Sequence, residues 1–411
     1  MVRIADLCPR FEMNLRRALS IAAALLIALP LAIGTAAAAD SSASVRAKAP
    51  AGQTLRVGPN QPLKSVAEAA RLAHDGDTVE IDAGNYAGDV ATWAQSDLTL
   101  RAVGGRVHMD AHGAAAEGKG IWVISGQGVV VEGIEFSGAR VPDRNGAGIR
   151  HEGGSLTVRN CKFIDNENGI LTSNNHASEL RIENSEFGRN GAGDGQSHNL
   201  YVGEIRQLTV IGSYFHHARV GHLLKSRAER NDVMYNRLTD ESGGTASYEL
   251  EFPAGGLAYV IGNIIEQSPQ TQNSNIISYG AEGYRGQKNE LYLVNNTIVD
   301  DRTQEGIFLH VAAGTARIVA INNLLVGRGT LDAAGPGKYI GNAVADKSAI
   351  FSRTTYDYRL KKSSLLVGKA ADPGQADGVK LRPEREYVHP MQTRALGRGP
   401  LSPGALQSTA P

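Results

Sequence analysis

The residues able to do chemistry crowd into one stretch of the chain. His198, His216, His217 and His222 are four of its eleven histidines, and Lys225 and Arg227 follow directly. Glu249 and Glu251 stand two apart, and Tyr201, Tyr279 and His310 lie on either side. Most of them sit in short runs that alternate apolar and polar: 198–202, 221–225, 247–252, 275–279 and 306–311. Such alternation predicts half-buried strands. With Leu200, Val202, Leu224, Leu250, Phe252, Ile276, Ile307 and Leu309 turned inward, the outward set is Asn199, Tyr201, Lys225, Glu249, Glu251, Tyr279 and His310.

That set fits a uronic acid. β-Elimination at a uronate needs a cation or hydrogen bonds on the carboxylate, a base for the C5 proton and an acid for the departing oxygen. Lys225 or a neutral His222 could be the base, and Tyr201 or His198 the acid. Arg227, or a calcium ion bound by Glu249 and Glu251 with Asp194, could hold the carboxylate. If Glu251 keeps Lys225 charged, the lysine is the clamp and a His/Tyr pair moves the protons. Both assignments stay open at this level. Asn199, Arg227, Glu249, Glu251, Tyr279 and His310 complete the expected substrate contacts. A two-carboxylate glycosidase built on Glu249 and Glu251 is a competing reading. A merely solvated outer face is the plain one.

What must position these residues is a repeat. Val131-Glu-Gly-Ile-Glu-Phe136 recurs from Val158, Ile182, Val210, Val233, Val260, Leu293 and Ala320. Each copy reads as strand, tight corner, strand, with glycine or asparagine where a left-handed backbone is needed. Such units stack in parallel at about 4.8 Å. Asn160, Asn184, Asn236, Asn263, Asn296 and Asn323 then fall along one edge, as turn and ladder residues. The stretch Leu63–Ala73 has helical spacing and can cap the open first coil.

The Gly76-Asp-Thr-Val and Gly84-Asn-Tyr elements, followed by Asn-Ser/Cys-x-Phe coils, resemble the pectate-lyase-like superfamily of right-handed β-helix proteins. The resemblance implies an all-β, right-handed parallel β-helix of about ten coils over 55–370, with an N-terminal helical cap. Around Lys225-Ser226 and Asn231 the sequence is similar to the Lys-Ser-x-x-Asn segment of β-helix lyases of the alginate lyase and chondroitinase B type. That similarity implies a lysine base, an arginine on the next coil and calcium. Tyr248-Glu249-Leu250-Glu251 stands where the arginine is expected, so the Lys/Arg pair is not reproduced.

Residues 1–39 read as a signal peptide: Arg16 and Arg17, an apolar run to Ile33, then Ala37-Ala38-Ala39. Translation could start at Met1 or Met13. Residues 40–54 read as a linker and 371–411 as a loosely packed tail with proline and glycine. Cys8 falls in the leader and leaves Cys161 alone, so no disulfide staples the mature chain. The 42 basic and 42 acidic residues cancel, which disfavours a nucleic-acid partner. The expectation is a periplasmic or secreted monomer, not held in the membrane once the leader is cut. It would act on an acidic polysaccharide as a lyase, or bind one without catalysis as a carbohydrate-binding or envelope-assembly protein; an adhesin or structural β-helix working through shape alone is the third class.

Overall fold

The computed structural model describes residues 52–331 and 337–409. The expected leader and most of the expected linker lie outside them. After a first short strand, Thr54–Val57, comes the helix Val66–Leu72. The Ser65 hydroxyl caps this helix by accepting from Glu68 N at 3.1 Å. Val66, Ala69 and Ala70 are buried, so the helix closes the first coil as its spacing predicted.

From Thr78 onward the chain winds through coils of three strands. Among the described residues ten strands pair side by side into the sheet that carries the chemistry, running from Ala91–Trp93 to Gly329–Leu331. The other two strands of each coil meet at a corner, with every neighbouring pair parallel. Inside, Phe136, Phe163, Phe187 and Phe215 stack face to face at 5.1, 4.7 and 4.7 Å. Leu238 and Ile265 continue that column in register. Burial of these side chains is the main stabilising contribution, and among the described residues Cys161 is a buried free thiol.

The corner uses two adjacent columns where the sequence reading had merged one. Asn160 and Asn184 have φ of 52° and 48° and make the left-handed bend, as do Gly212, Gly262, Asn295 and Asn322. The next residue forms the ladder. Cys161 N donates to Ser185 Oγ, Ser185 N to Ser213 Oγ, and Ser213 N to Asn236 Oδ1. Asn236, Asn263, Asn296 and Asn323 continue it, each main-chain N–H donating to the next amide at 2.9–3.0 Å. Each of these amides also donates to a carbonyl on the coil before it, so the buried polar atoms satisfy one another.

The C-terminal segment is packed rather than loose. Leu381, Tyr387, Leu401 and Ala405 are buried. Glu384 N donates to Tyr235 Oη at 3.1 Å, and Gly404 N to Asn322 O at 2.8 Å. It forms two short antiparallel hairpins outside the coil repeat, Gln375–Ala376 with Val379–Lys380 and Arg385–Val388 with Gln392–Ala395, which is why composition alone suggested slackness.

Candidate active site

Register decides which side chains share the outer face. Tyr201 pairs with Lys225, Lys225 with Glu251, Glu251 with Ser278 and Ser278 with His310. The same column begins upstream with Thr92, Val123, Arg150 and Leu171. Tyr201, Lys225, Glu251 and His310 therefore stand where alternation put them.

Three expected contacts do not. Tyr279 pairs with Phe252 and Val311 and lies inside the core, its hydroxyl donating to Gly256 O. The run Asn275-Ile276-Ile277-Ser278-Tyr279 offers two isoleucines to the core, and the inward register falls on Ile277, which turns Ser278 outward. Asn199 is fully buried as the last rung of a second ladder. Asn166 N donates to Asn190 Oδ1, Asn190 N to Asn199 Oδ1, and Asn199 Nδ2 to His216 O. Glu249 is also fully buried, and both its carboxylate oxygens lack a hydrogen-bond partner.

Glu249 thus cannot share a groove-side ion with Glu251. Burial raises its pKa well above the ordinary carboxylate range, and the nearby Asp240, Glu266 and Asp300 add to that. Asp194 stands apart, 3.4 Å from Arg144. Among the described residues no group of three His, Cys, Asp or Glu side chains is arranged to hold a metal. The calcium set Glu249, Glu251 and Asp194 is therefore not assembled.

The groups that do meet form a compact constellation. Lys225 Nζ lies 3.2 Å from Glu251 Oε2 and 3.5 Å from Glu282 Oε1. Arg227 grips Glu282 through two hydrogen bonds of 2.9 and 2.7 Å, and its guanidinium lies 5.3 Å from the centre of the Tyr201 ring. The His198 and His222 rings stack at 4.4 Å, nearly parallel. Burial first, then the charges of Lys225 and Arg227, lower both histidines well below the ordinary imidazole value, and His198 also acts on His222. Both rings are neutral at neutral pH.

Geometry fixes the tautomer of His198. His198 Nδ1 accepts from His222 N at 2.9 Å, so its Nε2 carries the hydrogen and can only donate. His222 Nδ1 lies 3.5 Å from Glu251 Oε2, close enough for that carboxylate to favour an imidazolium formed by proton capture. Glu251 itself has a raised pKa, mainly through burial, with Lys225 opposing the shift.

Beside Tyr201 an open cavity of about 610 Å³ carries Arg144, Arg150, Arg227 and Arg285. Apart from Arg227, sequence reasoning did not place these arginines in the site. Arg150 could have been found, because it sits in the strand Ala147–His151 on the Tyr201 column. Glu282 and Arg285 come from the loop after Tyr279, where no periodicity marks them. His216 and His217 lie elsewhere. His217 has φ of 48°, which turns its ring back so that its Nδ1 meets His216 Nδ1 at 2.9 Å, beside Glu186.

Residues 104–248 match the family model described as a right handed beta helix region. The crystal structure of pectate lyase Pel9A superposes with a TM-score of 0.57 at 14% identity, over 87% of this chain and 97% of that one. The fold is a right-handed parallel β-helix. No curated protein matches in sequence. Likeness at this identity speaks for architecture, and the chemistry has to be argued from the β-helix groove itself.

Proposed function

We propose that this β-helix is an exported polysaccharide lyase that breaks a uronate-containing glycan by β-elimination. The observation that carries the reading is a neutral His222 beside Glu251, across the stacked His198 ring from Tyr201, with Lys225 and Arg227 alongside. His222 takes the C5 proton, and the electron pair becomes the C4–C5 double bond as the C4–O4 bond breaks. Tyr201, helped by the Nε2–H of His198, protonates the departing oxygen. Lys225 and Arg227 exchange a carboxylate of the protein for that of the uronate and stabilise the charge that develops on it. The ion pairs of Lys225 favour this clamp role over that of a base. The leader-like residues 1–39 support export to the periplasm or beyond.

A second reading has its own support. Both cations already hold carboxylates, which suits a surface that binds acidic glycan and releases it unchanged. A panel of acidic polysaccharides separates the two. A lyase product carries a conjugated double bond that absorbs in the far ultraviolet. New absorbance with wild type, absent with His222→Ala and Lys225→Ala, supports the lyase. Retention on a glycan gel with no absorbance on any substrate supports the binder.

A further inference from the structure

A second cavity, of about 600 Å³, opens on the far side of the histidine pair from the arginines. Its lining includes Val220, Thr245, Ser247, Tyr248, Gln270, Gln272 and Asn273, and no charged side chain contributes to it. The contrast with the arginine-bearing cavity is one of chemistry, since the two volumes are nearly equal. The cavities are joined by four rings in contact. Tyr201 meets His198 edge-on at 4.8 Å, His198 stacks on His222 at 4.4 Å, and His222 meets Tyr248 edge-on at 4.9 Å. The step from His222, over which the uronate C5 lies, to Tyr248 is close to the length of one sugar residue, and the tyrosine rings suit the C–H surface of a pyranose.

We propose that the groove selects a heteropolymer in which the uronate has an uncharged sugar as its neighbour. The uronate lies with its carboxylate toward Arg227 and Lys225, and the neutral residue fills the cavity beyond Tyr248. There amides and hydroxyls offer both donors and acceptors to hydroxyl or acetamido groups. A second uronate in that place would bring a carboxylate into a pocket without a cation, and its desolvation would go uncompensated. This inference rests on the proposed lyase and names its substrate class.

The test compares two uronate polymers: hyaluronan, in which uronate alternates with an uncharged amino sugar, and polygalacturonate, in which every residue is charged. Wild type should cleave the alternating polymer with a kcat/KM at least ten-fold higher. Gln272→Arg places a cation in the uncharged cavity and should narrow that ratio at least three-fold, through KM for polygalacturonate. Equal handling of both polymers by wild type overturns the inference and leaves the lyase standing, as does an unchanged ratio in Gln272→Arg. Cleavage of neither overturns the inference, and absence of cleavage across the whole panel of acidic polysaccharides overturns the lyase as well.

Discussion

Glu249→Gln is the most informative single change, because the structure fixes the sign of its effect. The Glu249 carboxyl is buried, has no hydrogen-bond partner and faces the negative fields of Asp240, Glu266 and Asp300. It is therefore neutral in the folded chain. Below about pH 4.3 the unfolded chain also holds the proton, and Glu249 adds no pH dependence. Above that value the unfolded chain releases the proton and the folded chain keeps it. Wild type then loses about 1.4 kcal/mol of stability per pH unit until the folded pKa is reached. Glutamine has the shape of the neutral acid and no proton to release.

Chemical denaturation of both proteins at pH 5 and pH 6 reads the difference. Glu249→Gln should gain on wild type by about 1 kcal/mol over that unit. Asp240, pushed up to about 7 by burial, titrates in both proteins and cancels to first order. A difference that stays constant would show a carboxyl already ionised at pH 5 in the folded chain. A difference that shrinks, and collapses with a chelator, would show a carboxylate held by a cation, and the account of Glu249 as a neutral acid would fail.

Other outcomes follow from the site and the corner. His222→Ala should lower kcat/KM by about 10²–10⁴-fold, and the wild-type acid limb should fall below about pH 6.5, since the ring is neutral there. A limb centred on the ordinary histidine value would assign the base elsewhere. Glu282→Gln removes the carboxylate that competes for Arg227 and Lys225, so uronate oligosaccharides should bind about 3–10-fold tighter by calorimetry. Weaker binding would mean that Glu282 only positions the arginine. Asn263→Ala leaves Asn236 N and Val233 O unsatisfied and should cost about 2–4 kcal/mol in denaturant titration. Asn160→Gly, at a left-handed bend, should stay within about 1 kcal/mol, and equal losses at the two sites would refute the two-column corner.

The fold was largely legible because the repeat is written in one-residue detail. An apolar residue, a bend residue and a small polar residue recur, and a parallel stack is the arrangement that serves every copy at once. The site was legible only where the register was unambiguous. Tyr201 and Glu251 each sit between two clear inward residues, whereas Lys225 follows Leu223-Leu224 and its outward position rests on its pairing with Tyr201 and Glu251. Ile276-Ile277 is symmetric to any rule of alternation, and the choice between them exchanged Tyr279 for Ser278. Glu249 misled for a different reason, since alternation assumes that a charged residue seeks water and this one is held as a neutral acid. Glu282 and Arg285 enter from a loop, where spatial nearness leaves no trace in spacing.

The C-terminal segment changes how such a stack comes apart. Coils that touch only their neighbours would peel one at a time from the exposed end. Here the last forty or so residues are stitched along the flank, from Tyr235 through Glu384 to Asn322 through Gly404, so rungs far apart share a single strap. Pulling on the terminus must strip that strap before any rung is freed.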